Sequence, residues 1–249
     1  MRIKLIACEV LAREFSYATS TSRHVFDTTL MDFGLHQTPD RLRESLQAEI
    51  DTAEGKGYDA IVLGYGLCSR GTADLRARSV PIVIPRCHDC ITLFLGSRAR
   101  YNEEFGSHPG TYYYSAGWVE RKSGEVSQGF IDAEHEGAYQ QHYLEYVEKY
   151  GEDNAKFLIE QESQWLQNYT RVALIDVGLG DIEGYRRFTT ELAQSRGWQH
   201  AEIKGDISLI ARISNGEWDS EDFLTVNPGQ KIADSFNELI LRSSDCSSD

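Results

Sequence analysis

Positive charge is scarce in this chain. Lysine and arginine together number 25 against 39 aspartates and glutamates, which gives a formal net charge of −14. A nucleic-acid-binding protein needs a basic face to replace the counterions of the phosphates, and a protein that binds an anionic membrane needs one as well. The composition therefore argues against nucleic acid and against an anionic membrane surface as partners.

Long apolar runs and cysteines are scarce too. No apolar run approaches the roughly 20 residues that span a bilayer. Glu9 interrupts the first apolar stretch too early for the core of a signal peptide, so we expect a cytoplasmic protein. Structural disulfides are rare in that reducing compartment, and the five cysteines therefore need another explanation.

The pattern of apolar residues indicates an α/β fold. Short β-rich apolar segments alternate with segments of helical spacing, and this alternation favours parallel β-sheets flanked by helices. Strands are predicted at 2–8, 25–33, 58–63, 80–84, 171–177, 200–204 and 223–226. Helices are predicted to begin at Pro39 and end near Gly55, and at 72–78, 90–105, 131–168, 182–196 and 207–213, with a frayed tail at 243–249.

The same pattern predicts two α/β halves joined by a helical segment. The N-terminal half covers 1–125 and carries most of the cysteines, the helical segment covers 126–169, and the C-terminal half with the tail covers 170–249. A single continuous domain over 1–240 is the alternative. The halves would then share one sheet rather than form two lobes.

Four of the five cysteines follow predicted strands of the first half. Cys8 follows the first strand, Cys68 follows a glycine-containing turn after 58–63, and Cys87 and Cys90 follow 80–84. The carboxyl ends of parallel strands meet at one edge of a sheet, where ligands bind. Three or four thiolates fit a tetrahedral zinc ion or an iron–sulfur cluster, so we predict a metal site there. The alternative is that the thiols are buried and inert.

Polar residues interleaved with the thiols are candidates for further roles. His88 and Asp89 lie between Cys87 and Cys90 and are candidate catalytic groups that transfer protons or orient the ligands. Glu9, Tyr65 and Arg70 lie beside the other thiols, and Asp176 lies at the same predicted edge in the second half. These four are candidate substrate-binding residues. Arg70 and Arg86 would also add positive charge near Cys68 and Cys87.

An aromatic run between glycines provides a second candidate pocket. Tyr112, Tyr114 and Trp118 are able to wall a cage for a quaternary ammonium through cation–π contacts, although such clusters are more often part of a core. His135 and His142 are seven residues apart and could share a helix face as metal ligands. A solvated acidic helix is the better interpretation of that segment.

Four strings of the sequence resemble the conserved blocks of a known family. They are Leu5–Leu11, Gly64–Cys68, His88–Arg98 and Pro109–Trp118. They look like a bacterial and archaeal family catalogued as a domain of unknown function, number 1638, and the resemblance covers most of the chain. Members often occur beside corrinoid-dependent methyltransferases of the trimethylamine and glycine-betaine type, which implies one-carbon metabolism.

The resemblance also bears on the number of ligands. Thiols at Cys8, Cys68 and Cys90 belong to the family's blocks, whereas position 87 is commonly a small residue. This implies three thiols and an open coordination position, on zinc or on an iron–sulfur cluster, where a substrate heteroatom binds. Cys87 is then a departure from the family pattern.

These observations lead to one expected function and two alternatives. We expect a metal-dependent enzyme of one-carbon or methylamine-type metabolism that acts on a small methylated or sulfur-containing metabolite. Methyl transfer and cluster-assisted lyase or desulfidase chemistry are the leading reaction classes. One alternative is a non-catalytic metal-binding accessory that docks onto a corrinoid protein or methyltransferase, and the other is a protein with inert thiols.

Overall fold

The computed structural model describes residues 1–121, 143–144, 146–164 and 168–246. Its strands are β1 (Arg2–Cys8), β2 (Val25–Met31), β3 (Ala60–Gly64), β4 (Ile82–Pro85), β5 (Thr111–Tyr114), β6 (Arg171–Asp176), β7 (Gln199–Lys204), β8 (Phe223–Val226), β9 (Gln230–Asp234) and β10 (Leu241–Asp245). Its helices are α1 (Ala12–Thr21), α2 (Pro39–Thr52), α3 (Cys90–Leu95), α4 (Arg98–Ser107), α5 (Ala116–Arg121), α6 (Glu152–Gln164), α7 (Ile182–Arg196) and α8 (Ser208–Ser214).

The main sheet has the strand order β2-β1-β3-β4-β8. Its first four strands are parallel, and β8 joins antiparallel to β4 at the edge. Strands β3 and β4 are buried along their whole length, which explains why they are continuous runs of isoleucine, valine and leucine. The predicted α/β fold class with parallel sheets and flanking helices is confirmed.

A second sheet, β5-β6-β7, is parallel throughout. Alternation along β5 points Tyr113 into the main core, while Tyr112 and Tyr114 face a second core beneath α7. The main core joins both sheets, because Ala173 and Ile175 of β6 pack with residues of the first sheet. Strand β8 belongs to the sequence of the predicted C-terminal half but completes the N-terminal sheet.

The predicted helix over 72–78 is wrong. This segment turns and then runs beside the hairpin formed by β9 and β10, and Arg76 forms a bridge with Lys231. The amide of Ala77 donates to the carbonyl of Gln230 at 2.9 Å, so the backbone hydrogen bonds go to a neighbouring strand instead of into a helix. The expected frayed tail is wrong for residues 243–245, which belong to β10, whereas residues 247–249 lie outside the described residues.

The helix predicted over 90–105 is divided in two. Gly96 ends α3 with a φ of +81° in the left-handed region, and Ser97 then caps α4 by accepting a hydrogen bond from the Arg100 amide at 3.2 Å. Helix α6 lies within the predicted helical segment, whereas His135 and His142 lie outside the described residues. Within the described ranges, no helix is both long and apolar enough to cross a membrane.

Candidate functional site: a thiol cluster beside a charged cleft

The carboxyl ends of β1, β3 and β4 lie at one edge of the main sheet and carry the cysteines. Cys8 is the last residue of β1. The loop after β3 runs beside the loop after β4: the amide of Leu67 donates to the carbonyl of Cys87, and the amide of Cys68 donates to the carbonyl of His88, both at 2.8 Å. These bonds fix the Cys68 loop against the segment that leads to Cys90.

Gly66 makes the contact between the two loops possible. A Cβ at this position would lie 2.7 Å from the carbonyl oxygen of Cys87, 2.8 Å from the amide nitrogen of Asp89 and 2.9 Å from the Cys87 Sγ. These separations are shorter than any side chain tolerates. The glycine is therefore needed for the close approach of backbone to backbone.

The thiols of Cys8, Cys68 and Cys90 lie within electrostatic reach of one another. Burial is the main cause that raises the pKa of each, to about 12 for Cys8 and for Cys68 and well above the usual value for Cys90. The charge of Cys8 raises the pKa of Cys68 and of Cys90 further. Electrostatic interaction therefore links the three thiols, and their convergence on one ligand stays a prediction.

Two aromatic side chains lie among these thiols. Tyr65 is 3% exposed, and its hydroxyl approaches the thiol of Cys8 without a hydrogen bond of normal geometry. Burial raises the pKa of Tyr65 most, and the charges of Cys8, Cys68 and Cys90 raise it further. On the other side, a hydrogen bond from the Trp118 side chain lowers the pKa of Cys90 against the effect of burial.

Cys68 begins an unusual turn. Residues 68–70 have φ values of 47°, 53° and 70° in succession, and none of them is glycine. Each such residue costs roughly 1 to 2 kcal/mol, so the turn persists only because its surroundings hold it. The amide of Gly71 donates to the Cys68 carbonyl at 2.9 Å, and the hydroxyl of Thr72 donates to the Gly66 carbonyl at 2.9 Å.

The two candidate catalytic residues have different surroundings. Asp89 caps α3, because its Oδ1 accepts from the Ile91 amide at 3.0 Å and its Oδ2 accepts from the Tyr101 hydroxyl at 3.1 Å. Burial raises the pKa of this carboxyl. The side chain of His88 is exposed, and its ring lies 6.2 Å from that of Tyr101. Proton transfer by either residue stays a prediction.

Arg70 and Arg86, the two arginines near the thiols in sequence, bind other groups of the protein. Arg70 forms an ion pair with Asp234 of β9. The buried guanidinium of Arg86 donates to four backbone carbonyls near the C-terminus, and the expectation that Arg86 supplies charge to Cys87 is wrong. The four carbonyls are those of Ser220, Phe223, Leu239 and Leu241. Cys87 itself is 1% exposed, and burial raises its pKa well above the usual value.

A cleft of about 390 Å³ opens beside Glu9, the residue that follows Cys8. It is lined by the first residues after β1, by α5 and by the loop after β6. The lining consists of Glu9, Ala12, Arg13, Ser16, Gly117, Glu120, Arg121, Leu179 and Gly180. Glu9 joins the cleft to the thiol cluster, because it follows Cys8 directly and its charge raises the pKa of that thiol.

Two ion pairs lie across this cleft. The Nε of Arg13 donates to both carboxylate oxygens of Glu120, at 2.7 and 2.9 Å, and the Tyr185 hydroxyl donates to the same carboxylate. The hydrogen bond from Arg13 is the main cause that lowers the pKa of Glu120. The second pair is more open: the Nε of Arg121 lies 3.6 Å from a carboxylate oxygen of Glu9.

Gly117 fixes α5 to the turn that follows β1. A Cβ on Gly117 would lie 1.8 Å from the carbonyl oxygen of Val10, so no other residue fits without movement of the backbone. The next residue, Trp118, reaches Cys90, while Glu120 and Arg121 line the cleft. One close contact therefore positions the aromatic side of the thiol cluster and one wall of the cleft.

The remaining candidate residues lie apart from the thiols. Tyr112 and Tyr114 pack in the second core with their ring centres 5.2 Å apart, and Tyr114 is fully buried. Of the three proposed cage residues, the structure brings only Trp118 to the thiol cluster. The carboxylate of Asp176 accepts from the amide of Gly178 at 2.7 Å and so shapes the loop that reaches the cleft further on.

Sequence reasoning missed the charged residues of the cleft. Arg13, Glu120 and Arg121 carry no motif, although Arg13 stands in the first turn of the helix after β1, where α/β folds place ligand contacts. It also missed Glu14, which is completely buried and whose two carboxylate oxygens have no hydrogen-bond partner. No pattern in the sequence marks Glu14, because a glutamate on an amphipathic helix is usually exposed.

The donor set fits a soft metal by its chemistry. Thiolates are the ligands that zinc and iron–sulfur clusters prefer. In the part of the chain that the structure describes, no three histidine, cysteine, aspartate or glutamate side chains are arranged as a ready ligand shell. The metal and its identity therefore stay predictions.

Comparison with known proteins gives one match. A family model described as "Protein of unknown function (DUF1638)" matches residues 30–213. Cys68, Cys87 and Cys90 lie within the matched region, and Cys8 lies before it. No curated protein and no solved structure matches the chain.

Proposed function

The chain belongs to the DUF1638 family, and from this premise we propose that it is a metal-dependent enzyme with a centre formed by Cys8, Cys68 and Cys90. Its substrate is a small methylated or sulfur-containing metabolite. The observation that carries the proposal is that the end of β1 and the segments after β3 and β4, far apart in sequence, carry Cys8, Cys68 and Cys90 at one edge of the main sheet beside the buried Tyr65. Such convergence at the carboxyl edge of a parallel sheet is typical of ligand sites.

Burial of three thiolates at one sheet edge is costly unless something compensates their charge. Each thiol there has a raised pKa, with burial as its main cause. A bound cation reverses this effect, because metal binding deprotonates thiols and neutralises the thiolates. In this proposal, rotation of the cysteine side chains closes the ligand shell from the arrangement described above.

The surrounding residues have distinct roles in the proposed enzyme. Cys8, Cys68 and Cys90 would hold the metal as thiolates, and a metal held by three thiolates would supply a Lewis acid for a substrate heteroatom. Trp118 donates a hydrogen bond to the Cys90 sulfur and orients it. In the proposed enzyme, the hydroxyl of Tyr65, which approaches the thiol of Cys8, donates to a group bound among the thiols. The adjoining cleft holds the rest of the substrate.

Metal analysis of protein purified without oxygen tests the proposal. We expect zinc, or iron with acid-labile sulfide, bound in stoichiometric amount, and a brown protein only in the second case. Cys68→Ser should lose the metal. Cys246→Ser is the matched control, because Cys246 lies at the far end of the chain beyond β10, and it should keep the metal.

Two outcomes contradict the proposal. One is a wild-type protein that holds no metal after anaerobic reconstitution. The other is a folded Cys68→Ser variant that binds the wild-type amount. Cys87→Ser then decides the number of ligands: retention of the metal agrees with three thiols, and its loss indicates four.

A further inference from the structure

The outer edge of β2 lacks the features that usually keep an edge strand from pairing. Among the described residues, β1 is the only strand that pairs with β2. Strand β2 is seven residues long and regular, and it contains no proline, no lysine and no bulge. Edges of this kind are templates for another strand. We propose that β2 is the interface of a symmetric dimer, in which β2 of a second copy of this chain pairs with it antiparallel.

The two edges of the main sheet differ. At the far edge, β8 has four residues and packs beside β10. At the near edge, Val25 and Leu30 of β2 are 62% and 42% exposed, and Tyr17 is 54% exposed on α1, which packs beside β2. Large apolar side chains therefore accompany the unpaired backbone of β2, as they do at surfaces that bind other proteins.

The backbone of β2 fixes where the symmetry axis can lie. The amide of Val25 donates to the carbonyl of Met1 at 3.0 Å, so the polar backbone groups of Val25 face β1. These groups alternate in direction along a strand, and those of Phe26, Thr28 and Leu30 therefore face outward. With the axis at Thr28, Thr28 pairs with its own copy and Phe26 pairs with Leu30 of the second copy. Each outward amide then donates to a carbonyl.

The side chains of β2 match one another in this register. Val25 lies opposite Met31 of the second copy, and Phe26 lies opposite Leu30, so apolar side chains meet apolar ones. Every residue of the strand has a partner. An axis shifted by one residue to Asp27 would instead place two carboxylates opposite each other, which is unfavourable.

The charges at this edge also complement each other between the copies. Asp27 lies opposite Thr29 of the second copy, and the hydroxyl of Thr29 accepts a hydrogen bond from the ammonium of Lys4. The carboxylate of Asp27 is 42% exposed, and the pairing brings it beside that ammonium, twice by symmetry. The formal net charge of −14 makes two copies repel at a distance, so self-association needs a surface where opposite charges meet.

Sedimentation of the full chain over a range of micromolar concentrations tests the inference. We expect a reversible dimer with twice the mass of the chain. Thr28→Lys places two ammonium groups opposite each other at the axis and should weaken the dimer about fivefold or more. The matched control is Thr225→Lys, because Thr225 is an exposed threonine on the opposite edge strand and the change in net charge is the same. Thermal melting verifies that both variants are folded.

A cysteine at the axis tests the register itself. In Thr28→Cys the two new cysteines would have Cα atoms about 5.5 Å apart, within the range of a disulfide. In the control Val25→Cys they would be about 20 Å apart, because each lies at the far end of the paired strands. Mild oxidation should therefore join two copies of Thr28→Cys, and it should leave Val25→Cys and the wild type as single chains on a non-reducing gel.

Three results would overturn the inference. The first is a wild-type chain that stays monomeric at every concentration, which would leave this edge to a strand of a different protein. The second is a dimer that Thr28→Lys does not weaken relative to Thr225→Lys. The third is a dimer in which Val25→Cys is joined as readily as Thr28→Cys. The inference is independent of the metal proposal, because β2 contains none of the three thiols.

Discussion

Glu14 is expected to make the stability of the protein depend on pH between 5 and 8. It is completely buried on α1, its two carboxylate oxygens accept no hydrogen bond from another residue, and burial raises its pKa from the usual 4.5 to about 7. The backbone amide of Glu14 itself and the charge of Arg13 oppose this rise, and the charge of Glu120 adds to it. Glu14 is therefore neutral in the folded protein at acid pH, and it ionises inside the core as the pH passes 7.

The sign and size of the effect follow from the two pKa values. Because the folded pKa lies above the unfolded one, the contribution of Glu14 to stability is fully present below pH 4.5 and is lost as the pH rises through 7. The loss amounts to about 1 kcal/mol at pH 5 and about 3 kcal/mol at pH 8, at 1.36 kcal/mol for each unit of pKa.

Glu14→Gln is the informative substitution, since glutamine has the same shape and stays neutral. We expect the stability of this variant relative to wild type to increase by about 2 kcal/mol between pH 5 and pH 8. Urea unfolding at both pH values measures the difference. Glu44→Gln on the exposed face of α2 is the control and should show no such change. A difference between Glu14→Gln and wild type that is the same at both pH values would refute the argument.

Three further substitutions test the packing around the site, each by chemical unfolding. Gly117→Ala places a methyl group 1.8 Å from the Val10 carbonyl and should cost more than about 3 kcal/mol; a neutral result would contradict the contact. Arg86→Met leaves buried carbonyls without donors and should cost about 2 to 4 kcal/mol, whereas a stabilised variant would show that Arg86 does not hold the C-terminal strands. Leu46→Ala empties a fully buried position on α2 and should cost about 2 to 5 kcal/mol, and a loss below about 1 kcal/mol would place Leu46 outside the core.

Much of the fold was predictable from local signals. Continuous apolar runs identify β1 and β6, and Pro39 marks the first residue of α2 because its fixed φ suits a helix start. The bounds of α7 agree with prediction, since Asp181 caps its first turn and Gly197 ends it in the left-handed conformation. For each of these elements, the signal lies in residues of the element itself or directly beside it.

The predictions are wrong where hydrogen-bond partners far away in the sequence determine the local structure. The 72–78 segment has helical composition, yet its amides bond to β9, a strand about 155 residues away along the chain. Arg86 is a second example, because no residue near it in the sequence indicates that its guanidinium donates to carbonyls beyond residue 219. The break between α3 and α4 has a local signal, because Gly96 is followed directly by Ser97, a residue type that caps helices.

The candidate site also has one part that the sequence predicts and one part that it does not. That Cys8, Cys68 and Cys90 lie at one edge of the main sheet follows from strand order alone, a rule of parallel sheets that needs no knowledge of side-chain packing. The cleft depends instead on the contact between Gly117 and Val10, which joins segments more than 100 residues apart. The spacing of residues in the sequence does not indicate such a contact, so the sequence does not predict Arg13 and Glu120 as residues of the cleft.

The ion pair between Arg70 and Asp234 makes the last strands part of the thiol site. Arg70 is the third left-handed residue of the turn that begins at Cys68, and Asp234 is the final residue of β9. Shortening the chain before β9 would remove an anchor of that turn, and the backbone would relax toward ordinary dihedral angles and carry the Cys68 sulfur with it. Any shortened version made for crystallisation should therefore keep both strands of this hairpin.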